Sequence, residues 1–278
     1  MNGLSQPPTF FIGWDVGGWN CDRNPASRDA VVILDSSRAM VGRPWRGNLR
    51  SSINEFTDAR DWVGTLFQLC RATLPAGPVR CIMAIDTPLG FPSALADLIE
   101  GHGYADALQD SAANPYLFRV TEQYLFEQGL RPLSPVKDMI GSQATKGMHV
   151  VAKMGVPRIH AGLWVHDEWL AVIETYPAPC GNSALIKDLV QPFVIGMTDS
   201  GETRWVDQIS HPDMADALIC ALVAYCFDAR PGDLAPPIEN VPAAEGWIWL
   251  PIDVMASPDE HSEFLGWVPM ISTNQVVE

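Results

Sequence analysis

A short run of apolar residues that leads straight into an acid is the most informative pattern in the chain. Residues 82–85 (Ile-Met-Ala-Ile) lead into Asp86, and Pro88 and Gly90 then stop the segment. An uninterrupted apolar run of this length predicts a strand that is buried on both faces. A charge at the tip of such a strand is unfavourable unless it is paired or has a function. Asp86 is therefore the first candidate functional residue.

Four further runs share this β-rich, apolar character and predict strands: residues 9–16, 30–35, 40–45 and 169–176. The first contains Asp15 near its end, and the last contains Glu174 shortly before Pro177. The gap between the first two runs is too short for a crossover helix, so the first three strands are expected to form an antiparallel meander. An aromatic segment at residues 246–251 predicts a short extended piece near the end of the chain.

Helical spacing of apolar residues predicts helices in the segments between these strands: residues 57–74, 93–100, 115–127, 136–154 and 213–227. The last has the strongest signal, with Ser210 as the expected N-cap and Pro212 in the first turn. Its many small residues would let it lie close to a sheet. The helix before Asp86 implies a right-handed crossover, so the Asp86 strand is expected to run parallel to the first strand.

The chain shows no linker, repeat or break in composition that would divide it. With 278 residues, of which 47% are hydrophobic, it can bury a full core. We therefore predict one α/β domain over residues 9–252, with a largely helical insertion at about 91–162 and a C-terminal extension at 253–278.

Composition also limits location and partners. The first residues lack the basic and apolar regions of a signal peptide, and no apolar run approaches the roughly 20 residues that cross a bilayer. Six scattered cysteines without a Cys-x-x-Cys pair indicate reduced core thiols, so we predict a cytoplasmic protein without a membrane segment. A net charge of −15 argues against non-specific binding to nucleic acid. Basic residues gather between residues 117 and 160, which suits a phosphorylated substrate or a strand-binding groove, or marks a merely less acidic insertion.

Several acids are expected at one place. Asp15, Asp86 and Glu174 lie at or near the carboxyl ends of predicted strands, where open α/β sheets bind ligands. Asp213 and Asp216 share one face of the last helix. Carboxylates that converge without cationic partners raise one another's pKa, and a hard divalent cation, Mg²⁺ or Mn²⁺, would relieve this repulsion. Each acid also has an ordinary interpretation as a turn residue, a helix cap or half of an ion pair.

Four segments together resemble the "domain of unknown function 429" family, predicted nucleases of ribonuclease H-like fold. They are residues 85–90 (Ile-Asp-Thr-Pro-Leu-Gly), 174–177 (Glu-Thr-Tyr-Pro), 213–218 (Asp-Met-Ala-Asp-Ala-Leu) and 246–251 (Gly-Trp-Ile-Trp-Leu-Pro). The similarity covers roughly residues 10–252. The segment at 213–218 also resembles the last catalytic helix of RuvC-type Holliday-junction resolvases.

This resemblance implies an α/β fold with a ribonuclease H-like mixed five-stranded sheet of order 3-2-1-4-5, flanked by helices, with a helical insertion after the fourth strand. It implies metal ligation by Asp15, Asp86 and Asp216, with Asp213 beside them. Glu174 matches a family motif that the resolvases do not share in that form. Arg119 matches the family's Arg-x-Thr-Asp/Glu segment and is expected against substrate phosphate, or else in a salt bridge with Glu122 or a core acid.

Three functions follow from these observations. The first is a Mg²⁺- or Mn²⁺-dependent nuclease or phosphodiesterase that acts on nucleic acid or a small phosphodiester. In this enzyme Asp213 or Glu174 would complete the coordination shell of the metal or orient the attacking water. Arg119 and Lys137 would contact the substrate phosphate. The second is an ATP-dependent phosphotransferase on the same core, because residues 13–18 (Gly-Trp-Asp-Val-Gly-Gly) resemble the first phosphate loop of sugar kinases and actin-like ATPases. The third is a binding domain without catalytic activity that uses a tryptophan-rich face.

Overall fold

A mixed β-sheet with helices on both faces forms the centre of the protein, in a computed structural model that describes residues 6–108, 110–198, 201 and 203–255. Its strands are β1 (Thr9–Asp15), β2 (Asp29–Asp35), β3 (Trp45–Gly47), β4 (Arg80–Asp86), β5 (Arg158–His160), β6 (Leu163–His166), β7 (Leu170–Thr175) and β10 (Ile248–Trp249). Strands β8 (Val194–Met197) and β9 (Thr203–Trp205) form a separate hairpin. The order is β3-β2-β1-β4-β7-β6-β5, and β10 pairs with β7. Strands β1, β4, β7 and β10 are parallel, whereas β2, β3, β5 and β6 are antiparallel to their neighbours.

The α-helices cover the two faces of this sheet. They are α1 (Arg50–Glu55), α2 (Ala59–Leu69), α3 (Ser93–Glu100), α4 (Val120–Glu127), α5 (Gly141–Lys153), α6 (Pro177–Cys180), α7 (Ala184–Leu189) and α8 (Pro212–Ala229). Helix α8 packs on one face, against β1, β2 and β4, and α2 and α5 pack on the other. Each face has its own hydrophobic core because side chains alternate along every strand.

Strand β1 shows which way its last residue points. Phe11 belongs to the α8 core, and its ring meets the Tyr225 ring of α8 at 5.3 Å between centroids. Ile12 and Trp14 belong to the core on the α2 side. Since alternate residues share a face, Asp15 lies on the α8 face.

The mixed α/β architecture agrees with the sequence prediction, but the five-stranded sheet does not. Four of the predicted strands correspond to β1, β2, β4 and β7, with β1 and β4 parallel as predicted. The strand predicted at 40–45 is misplaced, because Met40 makes only an isolated bridge with Leu34 and β3 begins at Trp45. With β3 in its place, the five strands lie in the expected order. The sheet is larger because the end of the predicted helical insertion folds as β5 and leads into β6, which pairs with β7, while β10 pairs with the end of β7. A three-residue strand such as β5, which is largely exposed, has no hydrophobic period that would identify it in the sequence.

Three predicted helix starts are also corrected. Helix α4 begins at Val120 instead of residue 115. Helix α5 begins at Gly141 instead of residue 136, and it passes through Gly147, where a β-carbon would approach the Thr87 methyl group to 2.4 Å. Helix α8 is capped by His211 and not by Ser210, because the imidazole Nδ1 accepts a backbone N–H of the first turn at 3.2 Å.

Composition-based expectations can be compared with the structure at two points. All six cysteines are buried and none forms a disulfide, as predicted for core thiols. Among the described residues, no helix combines the length and apolar character needed to cross a bilayer. Only residues up to 255 of the predicted extension at 253–278 are described.

Gly13 permits the close approach of α8 to β1. A β-carbon at this position would lie 1.9 Å from the Ala217 carbonyl oxygen and 2.4 Å from the Ala221 nitrogen. Gly13→Ala should therefore lower the free energy of unfolding by about 3 kcal/mol, because backbone atoms must move to admit the methyl group. Gly64→Ala, in α2 with no atom within 4 Å of the added carbon, should raise it by about 0.5–1 kcal/mol. Urea titrations of both variants would test this, and equal effects would contradict the packing explanation.

Candidate active site at the carboxyl edge of the sheet

Asp15 and Asp86 are direct neighbours at the ends of β1 and β4. The two residues are register partners in the parallel pairing of these strands, which places their backbones about 4.8 Å apart. Register partners point to the same face, so Asp86 joins Asp15 on the side of α8. The turns that follow, at Gly17–Gly18 and Pro88–Gly90, end both strands here, and both residues keep a small exposed surface.

Helix α8 delivers two further acids to this point. It runs antiparallel to β1, since Tyr225 contacts Phe11 and the backbone at Ala217 contacts Gly13. Two residues along a strand cover about 7 Å, and four residues along a helix cover about 6 Å. Moving from Gly13 to Asp15 therefore corresponds to moving from Ala217 back to the helical turn that carries Asp213 and Asp216.

The electrostatic influence of these acids on one another agrees with this placement. Burial raises the pKa of Asp15 well above its ordinary value, and the charges of Asp86, Asp216 and Asp213 raise it further. Burial, then Asp216 and then Glu174 raise the pKa of Asp86 in the same way. The pKa of Asp216 rises from 3.8 to about 6, through burial first and Asp213 second. Within the described chain, no hydrogen bond or ion pair reaches the carboxylates of Asp15, Asp86 or Asp216.

Asp213 differs from the other three because it is already paired. Its Oδ2 accepts the side-chain N–H of Arg46 at 2.7 Å and the backbone N–H of Arg28 at 2.8 Å. Its Oδ1 lies 3.3 Å from Nδ1 of His211. Asp213 thus ties the start of α8 to the loop before β2 and to β3, and it positions Asp216 by holding their common helix.

Glu174 is brought to the edge of the site, but from the opposite face of β7. It is the register partner of Ile85 and not of Asp86, which places it with the core on the α2 side. Both of its oxygens accept hydrogen bonds from Arg119, at 2.6 and 2.9 Å, and Oε2 also accepts the N–H of Leu89 at 2.8 Å. Glu174 is 1% exposed, so its charge is neutralised inside the protein.

The structure places Arg119 in the core and not against a substrate phosphate. Its side chain has no exposed surface, and its guanidinium binds the carboxylates of Glu122 and Glu174 together with the carbonyl oxygen of Glu245. These contacts occupy guanidinium N–H donors that a phosphate would need. Of the two interpretations that the sequence allowed, the internal salt bridge is the one observed.

Lys137 is exposed but is not part of the site as the structure places it. Its side chain is 50% exposed, with Nζ 3.7 Å from Asp138 and 5.4 Å from the centroid of the Phe118 ring. It does not line the cavity that contains Asp15 and Asp86. Neither sequence-predicted phosphate contact is therefore found at the carboxylates.

A cavity of about 190 Å³ opens at the strand ends. Its lining comes from the ends of β1, β4 and β7, from β10, from the loop before β2 and from the chain before and within α5: Asp15, Val16, Ser27, Asp86, Thr87, Pro88, Pro132, Leu133, Ile140, Gln143, Glu174, Thr175, Tyr176 and Ile248. The Thr87 hydroxyl is buried and has no hydrogen-bond partner among the described residues. Buried polar groups are normally satisfied, so this orphaned hydroxyl beside Asp86 is consistent with a polar ligand in the cavity.

Sequence reasoning missed a second charged pair beside the site. Nζ of Lys146 binds the Asp29 carboxylate and the carbonyl oxygens of Gly17 and Gly18, the latter two at 3.0 and 3.3 Å. Asp29 also accepts the N–H of Gly17 at 3.0 Å. Both charged side chains are fully buried, and together they hold the loop after β1. An acid at the start of the apolar run 30–35 was the available signal, but nothing in the sequence indicated Lys146 as its partner.

The donor set suits a hard cation by its chemistry. Asp15, Asp86 and Asp216 offer only carboxylate oxygens, which Mg²⁺ and Mn²⁺ prefer. In the part of the chain that the structure describes, however, no three His, Cys, Asp or Glu side chains are arranged closely enough to hold one ion. The carboxylates are therefore gathered on one face of the sheet edge but not in a preformed metal site.

A larger cavity of about 530 Å³ lies elsewhere, between α7, the end of α8 and residues 252–253. Its cation, Arg230, is paired with Asp233 at 2.6 Å, and the strand-end carboxylates do not line it. We therefore place the candidate site at the smaller cavity, which Asp15 and Asp86 line.

Comparison of the chain with protein-family models, with curated proteins and with solved structures found no match.

Proposed function

We propose that this chain is a divalent-metal-dependent phosphodiesterase or nuclease of ribonuclease H-like fold, with Asp15, Asp86 and Asp216 as the ligands of Mg²⁺ or Mn²⁺. One observation supports this above all. Carboxylates from three separate elements are gathered at the sheet edge with no cationic partner among the described residues, and the charges of Asp86 and Asp216 raise the pKa of Asp15. Such repulsion destabilises the fold unless the acids serve a ligand.

The other residues have supporting roles in this proposal. Asp213, bound to Arg46, positions the first turns of α8 and so sets the place of Asp216. Glu174, bound to Arg119, lies close enough to raise the pKa of Asp86 and fixes the turn at Leu89 through its backbone N–H. A divalent ion bound by the three acids would polarise the phosphoryl group and lower the pKa of a water molecule at the site.

The resemblance in segments 85–90, 174–177, 213–218 and 246–251 supports the same assignment. These segments contain Asp86, Glu174, Asp216 and β10, which the fold brings to a single edge of the sheet. Fold alone is compatible with several reactions, so the proposal depends on the carboxylates and not on the architecture.

The alternatives have less support from the contacts. In the phosphotransferase, the loop after β1 would bind phosphate through free backbone N–H groups, but the N–H of Gly17 is bound to Asp29 and its carbonyl oxygen to Lys146. The binding domain with a tryptophan-rich face has less support because three of the tryptophans proposed for that face are buried. Trp247 and Trp249 are at most 1% exposed, and Trp164 is 4% exposed.

The proposal predicts that Mn²⁺ raises the melting temperature of the wild-type protein at pH 8 and enables it to cleave a phosphodiester. Asp216→Asn should lose both effects, because it removes one ligand from the set. Asp97→Asn, an exposed acid on α3, should keep both. Calorimetric titration with Mn²⁺ and a cleavage assay on short oligonucleotides would measure them. Cleavage that persists in the Asp216→Asn variant, or that needs no metal, would reject this assignment.

A further inference from the structure

One exposed apolar side chain lines the candidate site, and a second belongs to the residue next to another lining residue. Pro132, Leu133 and Ile140 line the same cavity as Asp15 and Asp86. Leu133 is 50% exposed. Met139, next to Ile140 in the chain, is 90% exposed. Scattered exposed apolar residues are common, but these lie together with a candidate catalytic cavity.

The turn that presents Leu133 and Met139 is held firmly by hydrogen bonds. The Ser134 N–H donates to the Asp138 carboxylate at 2.8 Å, and the Asp138 N–H donates back to the Ser134 carbonyl oxygen at 3.2 Å. The buried Ser134 hydroxyl accepts two more backbone N–H groups of the turn and donates to the carbonyl oxygen of Leu117. Leu133 and Met139 thus stand at the two ends of one closed turn, and we call this pair the apolar lip.

The size of the cavity limits which part of a substrate fits inside it and which part must lie outside, on the apolar lip. A volume of about 190 Å³ is below the roughly 300–1,000 Å³ of pockets that enclose a whole small molecule. It can hold a phosphate group with its ions and water, each water occupying about 30 Å³. The groups on either side of the phosphate must therefore lie outside, and on this side they meet carbon surface. A nucleobase offers such a contact through its flat face, which packs against apolar side chains without hydrogen bonds.

The charge of the protein limits the length of the substrate. A net charge of −15 repels a long polyanion, and the repulsion grows with the number of phosphates. In a duplex the faces of the bases are covered by their stacked neighbours, so only an unpaired base can pack against the lip. Resting on the function proposed above, we propose that the substrate is a short single-stranded oligonucleotide whose unpaired base, next to the scissile phosphate, packs on Leu133 and Met139.

A dinucleotide with one phosphodiester tests this, compared with the same molecule carrying abasic residues in place of both nucleosides. With Mn²⁺, the wild-type protein should cleave the base-bearing molecule with a kcat/KM about tenfold higher, as expected for burying part of a base against two side chains. The Leu133→Ser/Met139→Ser variant should cleave both at the abasic rate. Ile195→Ser/Met197→Ser is the matched control, because these residues on β8 are similarly exposed, at 56% and 63%, and should leave the preference unchanged.

The outcomes separate this inference from the proposed function. Equal cleavage of both molecules by the wild-type protein would overturn the base contact and leave the phosphodiesterase intact. A preference that survives in the lip variant would overturn the role of Leu133 and Met139. Faster cleavage of a hairpin duplex than of the dinucleotide would overturn the single-stranded substrate. Absence of metal-dependent cleavage of every one of these substrates would overturn the proposed function, and this inference with it.

Discussion

Asp86→Asn is expected to stabilise the metal-free protein while it abolishes metal-dependent cleavage. Asp86 has a pKa well above its ordinary value because it is buried beside Asp216 and Glu174. At pH 8 its ionised form therefore opposes folding, and a neutral amide of the same shape removes this opposition. We expect the free energy of unfolding to rise by about 1–3 kcal/mol, whereas an acid that merely stabilises the structure would lower it when replaced.

The pH dependence gives this prediction its sign. Between the unfolded pKa near 3.8 and the raised folded pKa, the folded protein binds more protons than the unfolded chain. The stability due to these protonated acids is complete below pH 3.8 and is lost as the pH rises through the folded values, which for Asp216 is about 6. Urea titrations at pH 5 and pH 8 should show this loss in the wild-type protein and a smaller one in Asp86→Asn. Asp97→Asn should match the wild type, and a fall in stability for Asp86→Asn at pH 8 would show that Asp86 has a structural partner.

Arg119→Ala is expected to have the largest effect on folding of the substitutions considered. It would leave Glu122 and Glu174 buried with no countercharge, and it would remove a hydrogen bond to the Glu245 carbonyl oxygen. Loss of one partner from a buried ion pair typically lowers the free energy of unfolding by about 3–5 kcal/mol. Lys137→Ala should change it by less than about 0.5 kcal/mol, because this side chain is half exposed.

A charge-free network separates the ionic role of Arg119 from simple loss of volume. Arg119→Met combined with Glu122→Gln and Glu174→Gln leaves no uncompensated buried charge, so it should recover part of the stability lost in Arg119→Ala. Denaturant unfolding followed by tryptophan fluorescence would measure all three proteins. If Arg119→Ala were as stable as Lys137→Ala, the guanidinium would not be the internal partner that its contacts indicate.

Much of the sheet was readable from the sequence because its information is local. The apolar runs ending at Asp15 and Asp86 marked β1 and β4, and the helix between them required a parallel crossover. The small residues around Asp216 marked α8 as a helix that lies on the sheet. The sequence analysis did not predict β5 and β6, because these short strands have no hydrophobic periodicity that identifies them. Strand β5 is three residues long, and Gly162 turns the chain between the two strands with a φ of +73°.

The sequence predicted which acids lie near the candidate site, but it did not determine the charged partners of Glu174 and Arg119. Glu174 was expected beside Asp86, but β7 is buried on both faces, so its sequence has no alternation of polar and apolar residues to show which way Glu174 points. The resemblance placed Arg119 against a phosphate, with a salt bridge as the alternative, because Arg-x-x-Glu is equally compatible with an exposed helix start and with an internal ion pair. The structure chooses the ion pair by burying both residues.

The sequence by itself determined which carboxylates end buried strands and which lie on one face of the last helix. Hydrophobic periodicity specifies these features over a few neighbouring residues. Only the tertiary structure decided which acids have cationic partners, because those partners are distant in the chain: Asp213 binds Arg46, Asp29 binds Lys146 and Glu174 binds Arg119. Asp15, Asp86 and Asp216 have no such partner within the described residues, and packing, not local sequence, made that distinction.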